Sequence, residues 1–274
     1  MHPDELISAL EAKPDQKTIA EACLWLTRNE DDELLDEVFE ALLLSGESED
    51  ILDWSIDWLK SHPKIACHLL SVLIEHVSPS ARIDLMSWGT HLVTASPQPN
   101  EDSAYLASRL IVDHNEESLV PWAQAWVDEY PDKEISAVVA GALVAAHPTE
   151  DNIERALVQL HQQQNWYGTV LLARLLETQR NPELIELASQ KLSLATEPEV
   201  ILLIEPLLKA EAASSATVIA WIDNNPDHPL SADILAECFR LKPGLFANSA
   251  KVWLSRNPSC PDPPLSEEEI RPFL

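Results

Sequence analysis

An all-α fold is predicted for this 274-residue chain, with about eight antiparallel helical hairpins stacked at a period of about 33 residues. Three observations predict it. The first is a recurring phrase: Trp, an aliphatic residue, three mostly polar or small residues, then Pro. It appears as Trp58-Leu59…Pro63, Trp126-Val127…Pro131, Trp221-Ile222…Pro226 and Trp253-Leu254…Pro258; Trp25-Leu26…Glu30 lacks the Pro, and Leu92-Val93…Pro97 lacks the Trp. Positions 25, 58, 92 and 126 are 33, 34 and 34 residues apart, and 221 and 253 are 32 apart. The second is proline spacing. Pro131, Pro148, Pro182, Pro198, Pro226, Pro243 and Pro258 mark turns, several of them 15 to 17 residues apart, one helix plus its connection. The third is composition: 5 Gly and frequent aliphatic runs favour helix over sheet.

Along the chain, helices are expected over 4–12, 15–29, 31–45, 48–61, 64–77, 79–95, 101–114 and 118–130. They continue over 132–146, 149–164, 166–180, 182–194, 198–211, 214–224, 229–241 and 244–256. The 64–77 segment shows the logic. Ile65, Leu69, Val72, Leu73 and Val77 recur mostly at three- and four-residue steps and form one apolar stripe, which Leu70 and Ile74 widen. Ser78 reads as an N-cap with Pro79 at the first helical position, where a missing N–H costs nothing. Asp132 starts a helix after Pro131, and Thr149 caps the next, with Glu150 and Asp151 in the turn that the helix dipole favours for acids. Pro206 is expected to kink or split helix 198–211. The Trp spacing slips between 126 and 221, which reads as one or two shortened repeats. At the end, Pro261, Pro263 and Pro264 imply an extended stretch, and Ser266 with Glu269 reads as the capping box of a short last helix. Residues 1–258 are thus the repeat array, and 259–274 are expected to be a Pro-rich segment and short helix that fold back as a cap over the final hairpin, a docking tail being the alternative.

The chain carries 46 acidic and 18 basic residues, a formal charge of −28. Phosphate binding needs a basic surface, so no nucleic acid is expected as a ligand, nor an anionic membrane. A basic protein partner is favoured, although an acidic surface also serves solubility alone. Cys23, Cys67, Cys238 and Cys260 form no C-x-x-C pair, and the first three sit in apolar helical patterns, so reduced core thiols are expected. The start, Met-His-Pro-Asp-Glu-Leu, has neither a basic region nor an apolar run, and no stretch of 18 apolar residues is present; a cytoplasmic protein is expected.

The repeating phrase resembles the α-solenoid superfamily of HEAT-like and TPR-like repeats. The likeness covers nearly the whole chain and is architectural. The Trp…Leu-Gly…Tyr opening of a TPR is missing, while its Ala…Pro closing half recurs in Ala125…Pro131 and Ala220…Pro226, so the HEAT-like form is preferred. The resemblance implies a scaffold, an inhibitor or, in a few cases, an enzyme.

Two sets of side chains stand out. Between Arg28 and Lys60 there is no basic residue, and the interval holds Glu30, Asp31, Asp32, Glu33, Asp36, Glu37, Glu40, Glu47, Glu49, Asp50, Asp53 and Asp57. Asp32, Asp36 and Glu40 are expected on one helix face, at a cost of about 0.2–0.5 kcal/mol per like-charge pair; a binding role or a solvated face both tolerate that. Among the tryptophans, Trp58, Trp126, Trp221 and Trp253 hold the phrase register and read as core anchors. Trp54, Trp88, Trp122 and Trp166 fall outside it and are candidates for exposure, with Trp122 and Trp166 the candidate binding aromatics. Asp32-Glu33-Leu34-Leu35-Asp36 only loosely imitates a metal-binding aspartate helix, Glu75-His76 reverses the dipeptide of HEAT-repeat di-iron enzymes, and no zinc-spaced His pair, Walker loop, G-x-S-x-G or G-x-G-x-x-G occurs. No catalytic residue, metal or cofactor is therefore assigned. The expected function is non-enzymatic: an acidic protein-binding repeat protein, of inhibitor or immunity type, that neutralises a basic partner such as a toxin domain. The alternatives are a general scaffold or peptide-sensing module, and thirdly an enzyme on a helical scaffold.

Overall fold

Each copy of the Trp phrase is a helix end, and side-chain chemistry stops the helix there. In a computed structural model, Asn29, Asn225 and Asn257 each donate a side-chain N–H to the carbonyl of the Trp four residues earlier, at 2.7 Å to Trp25, 2.8 Å to Trp221 and 3.0 Å to Trp253. His62 Nδ1 does the same to Trp58 at 2.7 Å. The last carbonyls of a helix have no intrahelical partner, so a donor at this position satisfies one of them. Where a Pro follows, it disfavours helical backbone in the residue before it and closes the helix. In the Trp126 copy, Tyr130 takes this place and its carbonyl instead accepts from Ser136 Oγ at 2.6 Å; Ser231 Oγ makes the equivalent bond to the Asn225 carbonyl. Asn225→Ala should therefore cost about 1 kcal/mol, the net worth of one such hydrogen bond, read as a shift in a urea midpoint.

The structure describes residues 2–12, 14–45, 49–95, 100–163, 165–179, 181–194, 198–210, 212–225, 228–257 and 265–273. Among these no strand occurs, and no helix is long and apolar enough to cross a membrane. Two units divide at Trp126/Val127.

The first unit holds α1 (Pro3–Glu11), α2 (Gln16–Arg28), α3 (Leu35–Leu44), α4 (Glu49–Ser61), α5 (Pro63–His76), α6 (Pro79–Ala95), α7 (Glu101–His114) and the start of α8 (Val120–Glu129), which follows a 3-10 turn at Glu117–Leu119. The odd helices form a row: α3 packs on α1 and α5, and α5 on α7, while α2, α4 and α6 each pack on their neighbours in that row. Helices in the row are covered on more than one side, which explains the wide apolar face of α5. Its Leu69, Leu70, Leu73 and Ile74 are all fully buried, each side chain worth about 1.5–3 kcal/mol of transfer energy. Asn100 caps α7, its Oδ1 accepting from Ser103 N at 2.9 Å, and Asn115 ends it in the left-handed region (φ 54°) that Asn tolerates.

The second unit holds α9 (Ile135–Ala146), α10 (Glu150–Gln162), α11 (Trp166–Thr178), α12 (Pro182–Leu194), α13 (Ile204–Ala210), α14 (Ala212–Asn224), α15 (Ser231–Leu241), α16 (Pro243–Arg256) and the short α17 (Glu267–Ile270). Nine of the twelve residues of α9 are buried, so it is apolar nearly all round. It packs on α10 and α11, and α11 in turn on α12 and α13. Thr149 caps α10 as its sequence suggests, accepting from Asn152 N at 3.3 Å. Ser266 and Glu269 form the expected capping box, with Ser266 N donating to Glu269 Oε2 at 2.7 Å. Leu265 and Ile270 are buried, α17 packs on α16, and Phe273 meets Phe239 edge-on at 5.5 Å.

Three expected boundaries are corrected. Helix α3 starts at Leu35, not 31, because the Asp32 carboxylate accepts the Leu34 N–H at 3.0 Å and holds a turn that competes with helix. Helix α9 starts at Ile135, not 132; Lys133 N and Ser136 N bond to the carbonyls of Tyr130 and Lys133, three residues back, in turn-type bonds. The 198–211 helix does split, but the break lies before Pro206: a 3-10 segment, Pro198–Leu203, gives way to α13. Pro206 thereby falls in the first turn of α13, where backbone N–H groups lack intrahelical partners anyway. The thiols also differ. Cys238 is buried, but Cys23 and Cys67 are only partly so; all three are free, and burial raises the pKa of each. The stretch at Pro261, Pro263 and Pro264, with Cys260 and Pro97, Pro226 and Pro258 of the phrase, lies outside the described residues.

Candidate protein-binding surface

The acidic interval starts in the connection between α2 and α3. Asp31, Asp32 and Glu33 are exposed there, and Glu30 Oε1 faces His62 Nε2 at 3.4 Å. On α3 the apolar residues Leu35, Val38, Phe39 and Leu42 follow the helical step and turn inward. That leaves Glu37 and Glu40 exposed and Asp36 half-buried. On α4 the buried Ile51, Ser55, Trp58 and Leu59 fix the opposite side, so Asp50, Asp53 and Asp57 form one exposed stripe. Glu49 is the first residue of α4; Glu47 lies outside the described residues.

The shared face of Asp32, Asp36 and Glu40 does not form, because α3 begins after Asp32. Asp36 instead points to its row neighbour: His68 on α5 lies 3.9 Å from Asp36 and 3.7 Å from Asp102 on α7, so one imidazole sits between two carboxylates from the row helices on either side of it. Glu37 and Glu40 meet a residue the sequence did not single out, Glu11 at the end of α1. These three line a groove between α1 and α3 of about 770 Å³, together with Ile7, Leu10, Pro14, Ala41, Leu44 and Ser45. Leu44 had a signal: it lies off the inward stripe of α3 and is 66% exposed.

The cations of this unit outside the interval do little to neutralise it. Arg109 bonds to Glu75 and, at 2.9 Å, to Asp113. Arg82 donates to the carbonyls of Ile74 and Val77 at 3.2 and 3.4 Å. Lys17 pairs with Glu21 at 3.5 Å. Residues 1–126 carry 24 acidic and 7 basic side chains, a formal −17.

The tryptophans separate by register with one exception, Trp25, which holds the phrase register but is half-buried. Trp58, Trp126, Trp221 and Trp253 are all buried. Trp54, Trp88 and Trp122 are half-buried, and Trp166 is 42% exposed. The i,i+4 pairs stack: Trp54 on Trp58 at 5.4 Å and Trp122 on Trp126 at 5.6 Å. Trp58 also meets Phe39 at 5.8 Å and His62 at 5.2 Å, tying α3, α4 and the start of α5 into one aromatic cluster. In the second unit, Trp166 opens α11 and stacks on Tyr167 at 3.7 Å. Trp122 and Trp166 are thus partly covered platforms rather than free-standing rings.

Comparison with known proteins finds no matching family model, no similar curated protein and no matching solved structure.

Proposed function

We propose that this chain is a non-enzymatic protein-binding module, each unit a short α-solenoid of HEAT-like hairpins, that neutralises a basic protein partner in the manner of an inhibitor or immunity-type protein. The carrying observation is the run of twelve carboxylates between Arg28 and Lys60 without one Lys or Arg. Eight of them, Asp31, Asp32, Glu33, Glu37, Glu40, Asp50, Asp53 and Asp57, are exposed. The apolar sides of α3 and α4 are already used for packing, so these carboxylates are presented to solvent, although Asp32 also holds the turn before α3 through the Leu34 N–H. The repeat reading draws support from packing confined to near neighbours in sequence and from the shared side-chain cap at Asn29, His62, Asn225 and Asn257. A field of this sign raises the association rate of a cationic partner and is shortened by salt.

The test is affinity capture with the wild-type chain and with the triple variant Asp50→Lys, Asp53→Lys, Asp57→Lys. One dominant basic partner, retained at near stoichiometric yield by the wild type, is expected. The variant should bind it about tenfold more weakly at low salt, through slower association, with the gap closing as salt rises. Its thermal midpoint should stay near that of the wild type: the three lysines repel one another at the same spacings as the aspartates did, but each now faces an otherwise acidic surface. Equal capture by both proteins at both salts would reduce the acidic interval to a solvated face.

A further inference from the structure

The groove between α1 and α3 combines an apolar floor with an acidic rim. Its floor is apolar: Leu10 and Ala41 are nearly inaccessible, Ile7 is half-buried, and Leu44 extends the floor outward at 66% exposure. Its rim is acidic, with Glu11 from α1 and Glu37 and Glu40 from α3, and none of the described lining residues is basic. The volume of about 770 Å³ falls in the range of sites that enclose a small ligand or a few side chains.

We propose that this groove seats a segment of a basic protein partner in which large apolar side chains are flanked by Lys or Arg; the proposal rests on the acidic-surface reading above and names where that surface gains specificity. Charge complementarity selects this occupant. An apolar floor alone would accept any hydrophobic segment, but three carboxylates at its edge repel acidic segments and attract ammonium or guanidinium groups on either side of the anchor. The same carboxylates disfavour a second copy of this chain, whose own charge is −28. A buried apolar anchor inside a polar rim is the arrangement in which a few contacts carry most of the affinity.

The experiment uses the full chain and two synthetic peptides, one with a central leucine pair between lysines, the other with both leucines replaced by serine. Fluorescence anisotropy should show tighter binding of the leucine peptide. Leu44→Ser, at a position exposed enough to leave folding intact by circular dichroism, should weaken the leucine peptide about tenfold and leave the serine peptide unchanged. Glu37→Lys with Glu40→Lys should weaken both. If Leu44→Ser has no effect while the charge variant still weakens both peptides, the groove is overturned and the acidic-surface reading stands. If the leucine peptide binds regardless of salt and of the charge variant, the basic occupant is overturned along with that reading. A dimer in sedimentation that Leu44→Ser dissolves would assign the groove to a second copy and overturn the proposal.

Discussion

Trp126→Ala should destabilise the protein by about 3–5 kcal/mol, the usual cost of deleting a large buried aromatic. Trp126 is 4% exposed and lies on the inward side of α8, where Ala123 and Val127 are also buried. Truncation removes the transfer energy of the indole and leaves a cavity beneath the Trp122 ring that had stacked on it. Trp122, one turn earlier, covers the outer side of Trp126 at 5.6 Å and is itself half-buried. Its replacement by Ala forfeits one stacking contact and a partial burial, so about 1–2 kcal/mol is expected. Urea titrations of the two variants, followed by circular dichroism at equal protein concentration, separate the cases. Equal losses would mean that both rings are core and that the register of the Trp phrase does not sort buried from exposed aromatics.

That sorting was legible because it depends on local periodicity. Helix positions three and four residues apart share a face whatever the tertiary structure, so the inward stripes of α3 and α5 could be read from Val38, Phe39 and Leu42 or from Leu69, Leu73 and Ile74. End signals carried by neighbouring residues were legible too, as at Thr149 and at Ser266 with Glu269. The misplaced starts of α3 and α9 share a physical cause: hydrogen bonds in the connection compete with the helix, and propensity alone does not show which prevails. The donor that closes four of the Trp phrases is present in the sequence as Asn29, His62, Asn225 and Asn257. Pro is the louder stop signal, and Asn29 has none after it, so this donor does not stand out in the sequence alone.

The candidate surface was half legible. Charge is a property of composition, so the acidic interval follows from counting, and the partner class proposed above rests on that count. Which carboxylates act together does not. Glu11 and Glu40 are 29 positions apart and meet only because α1 packs on α3, while Asp32 and Asp36, four positions apart, are separated by a turn bond. His68 shows the same limit, since its two carboxylate neighbours come from helices on either side of α5. A groove is a product of packing, and only its outermost residue, Leu44, left a trace in the helical period.

Gly168→Ala is expected to cost about 1–3 kcal/mol, because the fold has no room for even one methyl group there. A Cβ at this position would lie 2.1 Å from the Gln163 carbonyl oxygen and 3.0 Å from its carbon. The obstacle is backbone, and it is pinned from the other side: Gln163 N bonds to the Gln159 carbonyl at 3.0 Å, closing α10, and the residue is 8% exposed. Relief therefore needs either α10 to lose its last turn or α11 to shift along α9, the helix it packs on most closely. A shift of α11 would carry Trp166 and Tyr167 with it, since they occupy its first two positions. Gly244 is the control. It lies in the first turn of α16 with nothing within 4 Å of a Cβ, so Gly244→Ala should gain up to about 1 kcal/mol by restricting the unfolded chain and favouring helix. Thermal and urea midpoints should thus move in opposite directions for the same chemical change. If both variants are as stable as the parent or more so, the connection from α10 to α11 adapts freely, and the close approach at Gly168 does not fix where α11 presents Trp166.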